Sequence, residues 1–263
     1  MTTGSSSTAV GDDVLVRHES RVAVITINRP HAKNAVTRAV SEGIAAALDE
    51  LDRRDDLSVG VLTGAGGSFC AGMDLKGFLR GERPSIEGRG FAGLTEAPPR
   101  KPLIAAVEGY ALAGGCEIVL ACDLVVAART AKFGIPEVKR GLVAAAGGLL
   151  RLPHRVPRQI AMELALTGDL VTAARAYEIG LVNRLTEDGE ALDAALGLAA
   201  RIAENGPLAI LATKRVIEEH EQWPEAERFA RQRRIIEPVF ASEDAKEGAR
   251  AFAEKRRPEW QGR

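Results

Sequence analysis

The sequence predicts an α/β fold with a mainly parallel core and a helical C-terminal third. Strand, turn and helix signals alternate from residue 14 to 150, and from Pro157 onward the apolar residues recur at helical spacing. Residues 59–63 and 103–107 are short, almost wholly apolar runs, the signature of strands buried on both faces.

In order along the chain, residues 1 to about 12 are rich in Ser, Thr and Gly and predict a disordered tail. Residues 14–17 and 22–27 read as strands around a tight turn at 18–21. Asn28-Arg29-Pro30 ends the second strand, and Thr37 is placed as the N-cap of a helix. Its buried face would hold Val40, Ile44, Ala47, Leu48 and Leu51. The strand at 59–63 closes in Gly64-Ala65-Gly66-Gly67. A Gly/Pro-rich stretch at roughly 80–100 is of the kind that carries mobility or binding. Strand 103–107, helix 115–121, strand 123–127 and a loop at 133–138 follow. Helices are expected at 157–166, 172–179, 187–204, 207–221, 224–239 and 242–254.

Composition narrows the function. A chain of 263 residues with 46% hydrophobic and 27% charged content can bury a sizeable core. A net charge of −1 gives no electrostatic case for nucleic acid or an anionic membrane. Cys70, Cys116 and Cys122 are an odd, unpatterned set that points to packing and a reducing compartment rather than disulfides; Cys116 lies at a helix start, where a thiolate is favoured. No secretory leader and no membrane-length apolar run is visible, so a cytoplasmic protein is expected.

The chemistry concentrates between residues 102 and 148. Gly114-Gly115 leads from a turn into a helix, and the first amides of a helix have no intrahelical partner. Glu117 stands one turn into that helix among apolar neighbours, a hard place to explain as surface. Glu137 follows in FGIPEVKRG. The Gly-rich 64–69 turn lacks the residues of a phosphate loop. Its continuation, Ala71-Gly72-Met73-Asp74, presents a second backbone amide. Two amides converging on one carbonyl oxygen make an oxyanion hole. His18, His31, His154 and His220 lie far from both turns and read as surface or loop residues. Neither a Ser-His-Asp or Cys-His arrangement nor a metal-ligand spacing is present.

At these residues the chain resembles the crotonase superfamily of enoyl-CoA hydratases and isomerases. The matching segments are Asn28-Arg29-Pro30 with Asn34-Ala35, FCAGMDLK from Phe69, 102–123 with GYALAGGCE, 133–141 with FGIPE, LTG at 166–168, AYEIGLVN at 176–183 and AFAEKR at 251–256. The resemblance implies a spiral of ββα units over 13–200 carrying the acyl-CoA site. It also implies a helical trimerisation region over 201–263, in a homotrimer or dimer of trimers.

It further implies that the amides of Met73 and Gly114 hold the thioester oxygen, and that Glu117 and Glu137 are the catalytic pair. Glu137 would be the acid, protonated at the start, and Glu117 the base that holds water. Lys33, Ala35, Ala71, Asp74, Leu75 and Lys76 would bind CoA or substrate, with Phe252 and Lys255 reaching in from a neighbouring subunit. Coenzyme A is then part of the substrate, with no metal and no separate cofactor.

The chain departs from the hydratase pattern at Ala113, where a third glycine is common. It departs again at Ala144-Ala145 before Gly147-Gly148, and at Leu149-Leu150, which are expected to shape an apolar acyl pocket. The ending AFAEKRRPEWQGR is also similar to carnitinyl-CoA dehydratases. Hydration of a 2-enoyl-CoA is the leading expectation. Carnitinyl-CoA dehydratase-like chemistry, double-bond isomerisation and an acyl-CoA-binding subunit with little turnover are the alternatives.

Overall fold

The computed structural model describes residues 7–9 and 12–263. Ser7–Ala9 (β1), Val14–Glu19 (β2) and Val22–Ile27 (β3) pair antiparallel. Ser7–Ala9 therefore forms a strand where the composition suggested a disordered tail; residues 1–6 and 10–11 of that tail lie outside the described residues. After β3 comes Arg38–Arg53 (α1), capped as expected by Thr37, whose hydroxyl accepts from Val40 N. Val59–Gly64 (β4) leads to the five-residue helix Leu75–Leu79 (α2) and the short hairpin Ser85–Ile86 (β5) and Gly90–Phe91 (β6). Leu103–Val107 (β7), Tyr110–Leu112 (β8), Gly114–Ala121 (α3), Leu124–Ala128 (β9) and Lys132–Gly134 (β10) follow.

The remaining elements are Gly148–Arg155 (α4), Arg158–Thr167 (α5), Val171–Thr172 (β11), Ala173–Glu178 (α6), Arg184–Thr186 (β12), Ala191–Ala203 (α7), Pro207–Glu219 (α8), Arg228–Phe240 (α9) and Glu243–Glu254 (α10).

The main sheet has the order β1-β2-β3-β4-β7-β9-β12 and is parallel from β3 onward. Its central strands, β3, β4, β7 and β9, are buried on both faces, with side chains alternating between two cores. Leu103, Ala105 and Val107 of β7 join the larger one, shared with α1 and α3, while Ile104 and Ala106 join the smaller one beneath α7. This double burial is why the strands read as apolar runs.

The ββα spiral is visible in the pairing. After β3, β4, β7 and β9 the chain makes a short inner strand or bridge, then a helix or turn. Val36 bridges Met73, Cys70 bridges Ala111, and β8 pairs parallel with β10. The turns before α2 and α3 are thus equivalent positions in successive coils of one spiral. That repetition places two amide-bearing turns side by side.

Candidate active site

The two turns do meet. Gly72 has φ +99, and a methyl built on it would lie 3.0 Å from Ala113 Cβ and 3.2 Å from Gly114 N. Only glycine lets the Met73 turn approach the start of α3 this closely. Met73 N and Gly114 N have no acceptor among the described residues, whereas Ala113 N donates to Gly134 O and Asp74 N to Val36 O. Asp74 caps α2 by accepting from Lys76 N and Gly77 N, which fixes the Met73 side. No side chain caps α3, and Ala113 takes φ 53, ψ −128, a region that glycine favours. Phe91 packs so tightly on Gly114 that a Cβ there would lie 2.6 Å from its ring.

A cavity of about 470 Å³ opens beside these amides. Of the residues expected from sequence, Lys33, Ala71, Met73, Leu75, Gly114, Glu117 and Glu137 line it. Ala35, Asp74, Lys76, Phe252 and Lys255 do not. The Asp74 carboxylate is engaged within the chain, accepting from Arg29 Nη2 at 3.1 Å as well as capping α2, and the Gly77 amide leads the contacts that hold it below its ordinary range. Phe252 on α10 is 87% exposed.

The two carboxylates differ in how they are held. Glu117 is buried on α3, and its Oε1 accepts from Ala146 N at 2.8 Å and Gly148 N at 2.9 Å. Burial pushes its pKa up, while these amides and the Arg151 guanidinium pull it back toward the ionised form. Glu137 sits in the 3-10 turn Pro136–Arg140, and its buried Oε2 has no hydrogen-bond partner. Burial raises its pKa most, its own backbone amide pulls it back, the negative charge of Glu117 raises it again and Arg140 lowers it a little. Both carboxylates are therefore held above their ordinary range, Glu117 with two amide donors on one oxygen and Glu137 with one buried oxygen unpartnered.

The structure corrects several expectations. Leu149 and Leu150 do not line the cavity; they are exposed on α4, and Leu142 and Val143 line it instead. Cys116 gains no thiolate character from its helix start, because burial pushes its thiol to about 12. His18 is no surface residue: it lies on β2 with its side chain 10% exposed, 3.6 Å from Glu50. Sequence reasoning missed Phe91 on the two-residue strand β6, Glu96 in a loop, Arg140 in the 3-10 turn and Arg151 on α4, none of them marked by a periodicity.

A family model described as enoyl-CoA hydratase/isomerase matches residues 17–263. The chain belongs to this family. Among its relatives is an enoyl-CoA hydratase of Mycobacterium tuberculosis, 45% identical over 96% of this chain and 98% of the relative. Another is a carnitinyl-CoA dehydratase of Salmonella enteritidis, 43% identical over 91% and 94%. A crystal structure of an enoyl-CoA hydratase from Mycobacterium tuberculosis superposes with a TM-score of 0.95 at 64% identity, covering 96% of this chain and all of that one. The fold is accordingly the crotonase fold. No described helix is long and apolar enough to cross a membrane.

Proposed function

We propose that the protein is an enoyl-CoA hydratase, adding water reversibly and syn across a trans-2-enoyl-CoA to give a 3-hydroxyacyl-CoA. The observation that carries this reading is the unequal pair of carboxylates on one cavity, beside two backbone amides that have no acceptor among the described residues. In this reading the Met73 and Gly114 amides bind the thioester oxygen and stabilise the enolate, worth roughly 3–4 kcal/mol per donor. Glu117 Oε1 is anchored by two amides, so its charge is fixed and its other oxygen can take a proton from water as the C3–O bond forms. Glu137 supplies the proton to C2. The reverse sequence removes water. Coenzyme A enters with the substrate, and the amides supply the carbonyl polarisation without a metal or separate cofactor.

The CoA portion is placed by the same reading near Lys33, Ala71 and Leu75, with Ala35, Asp74 and Lys76 flanking that mouth in sequence. Phe252 and Lys255 then serve the site of a neighbouring subunit in a trimer or dimer of trimers. The exposure of Phe229, Phe240 and Phe252 on α9 and α10 supports an assembly through the C-terminal helices. Three buried, free cysteines fit a cytoplasmic setting.

The test is the loss of enoyl-thioester absorbance with crotonyl-CoA. Hydration by the wild type, reduced by about 10²–10⁴-fold in both Glu117→Gln and Glu137→Gln, is the expected result. Absence of turnover in the wild type with any enoyl-CoA would overturn the reading.

A further inference from the structure

The Met73 and Gly114 amides are held by different means. Gly114 opens α3, an eight-residue helix whose every residue is buried, so core packing keeps its amide in place. Met73 precedes α2, which has five residues and leaves Leu75 and Leu79 exposed. A helix that short is not stable by itself and gives its first turn no fixed direction. The Met73 amide therefore needs support from outside α2.

That support is the segment 29–36. Ala71 N donates to Lys33 O at 3.0 Å, Val36 N to Gly72 O at 2.8 Å and Asp74 N to Val36 O at 3.0 Å, so the segment lies along the whole turn. Its own shape is fixed by the buried Asn34, whose side chain accepts from Arg29 N and donates to Ala65 O and Ser68 O. Arg29 closes the assembly. Its Nη1 donates to Ala35 O at 2.5 Å and its Nη2 to Asp74 Oδ2 at 3.1 Å, with the two side chains only 13% and 16% exposed. Asp74 divides its oxygens: Oδ1 caps α2 through Lys76 N and Gly77 N, and Oδ2 takes Arg29. One planar guanidinium thus spans the supporting segment and the helix cap, a reach that a point charge does not have. Arg29 does not line the cavity, so whatever it does for the reaction it does through Asp74. We infer that Arg29 is a positioning residue: through Asp74 it holds the Met73 amide where the thioester oxygen must sit. This inference rests on the oxyanion reading of that amide and deepens it.

The experiment separates the two claims. The probe is 4-(dimethylamino)cinnamoyl-CoA, a conjugated thioester whose absorbance moves to longer wavelength when its carbonyl is polarised. It reports on the bound state alone, while crotonyl-CoA reads turnover. Wild type is expected to shift the band. Arg29→Met should lose most of that shift, and its kcat with crotonyl-CoA should fall by about 10²-fold with KM little changed. Arg29→Lys should recover part of both, because an ammonium can reach Asp74 without also spanning to Ala35 O. Asp74→Asn keeps an N-cap and loses the charge, so it tests the tie even where Arg29→Met does not fold. Its shift should also fall, and adding Arg29→Met to it should cost little more. A full wild-type shift in Arg29→Met or in Asp74→Asn would overturn the inference and leave the oxyanion reading standing. So would weaker probe binding or a lower melting temperature with the shift of the bound form intact, since that marks a merely structural role. Probe binding without a shift in the wild type would sink the oxyanion reading itself, and the inference with it.

Discussion

Glu117 and Glu137 face one cavity from walls built in opposite ways. Glu117 stands on a fully buried helix, and the 146–148 segment turns two amides onto one of its oxygens. Glu137 stands in a 3-10 turn that leaves a buried oxygen without a partner. The first wall sets two amides on one carboxylate oxygen; the second leaves one carboxylate oxygen with no donor, an asymmetry that suits the proposed base and acid. In the proposed mechanism, identical side chains take opposite roles from their surroundings alone.

The sharpest way to break the comparison is to act on one wall and leave the other intact. A Cβ on Gly148 would lie 2.9 Å from Glu117 Oε1 and 3.0 Å from its Cγ. Gly148→Ala must therefore push the Glu117 carboxylate aside while leaving Glu137 untouched. Displacement of a reacting group by about 1 Å costs roughly 10²-fold. We expect kcat with crotonyl-CoA to fall by about that factor with a much smaller change in KM. An unchanged kcat would mean that the anchored geometry is not the reactive one.

The pH profile should follow the same asymmetry. The proposed mechanism needs Glu117 ionised and Glu137 protonated, and both groups are displaced upward by burial. Rate should fall on the acid side as Glu117 takes a proton and on the alkaline side as Glu137 loses one, with apparent values that belong to the pair. Arg151→Met removes a positive charge that favours ionised Glu117, so its acid limb should move to higher pH; Arg151→Lys should restore it. At a fixed pH on that limb, activity of the Met variant should fall about tenfold if the limb moves by about one pH unit. An acid limb that stays put in Arg151→Met would remove Arg151 from the account of Glu117.

How much of this was legible in the sequence depended on whether a signal was local. The main strands could be read because double burial makes them apolar throughout, and α1 because Thr37 and a regular apolar face mark it. Glu117 stood out because a charge between Cys116 and Ile118-Val119-Leu120 has no surface explanation. The inner strands were not legible: β8 and β10 are three residues long, too short for a period to appear. Helix α4 was missed because Gly147-Gly148 and Pro153 both argue against a helix. It forms regardless, with Gly147 as an αL cap and Leu152 buried on one face. Arg151 escaped because what gives it meaning is a contact across more than fifty residues, from its guanidinium to Thr95 O.

The smallest expected effect concerns stability, and here the two walls should differ in size. A carboxyl group whose pKa is raised in the fold is bound to its proton more tightly there than in the unfolded chain. Its stabilising contribution is present below the unfolded carboxylate pKa and is lost as pH rises through the folded value. Ionisation of Glu137 is the less favoured of the pair, because its buried oxygen lacks a partner and Glu117 repels the charge that forms as pH rises. Glu137→Gln removes that liability without changing the shape of the side chain. The variant should therefore melt above the wild type at pH 7, by about 2 °C, with the difference shrinking as pH falls toward about 4. Glu117→Gln should gain less, since the 146–148 amides already compensate its charge. Melting curves at several pH values check both statements. A Glu137→Gln protein less stable than the wild type at pH 7 would show that the orphaned oxygen is satisfied in solution and that the proton is held for another reason.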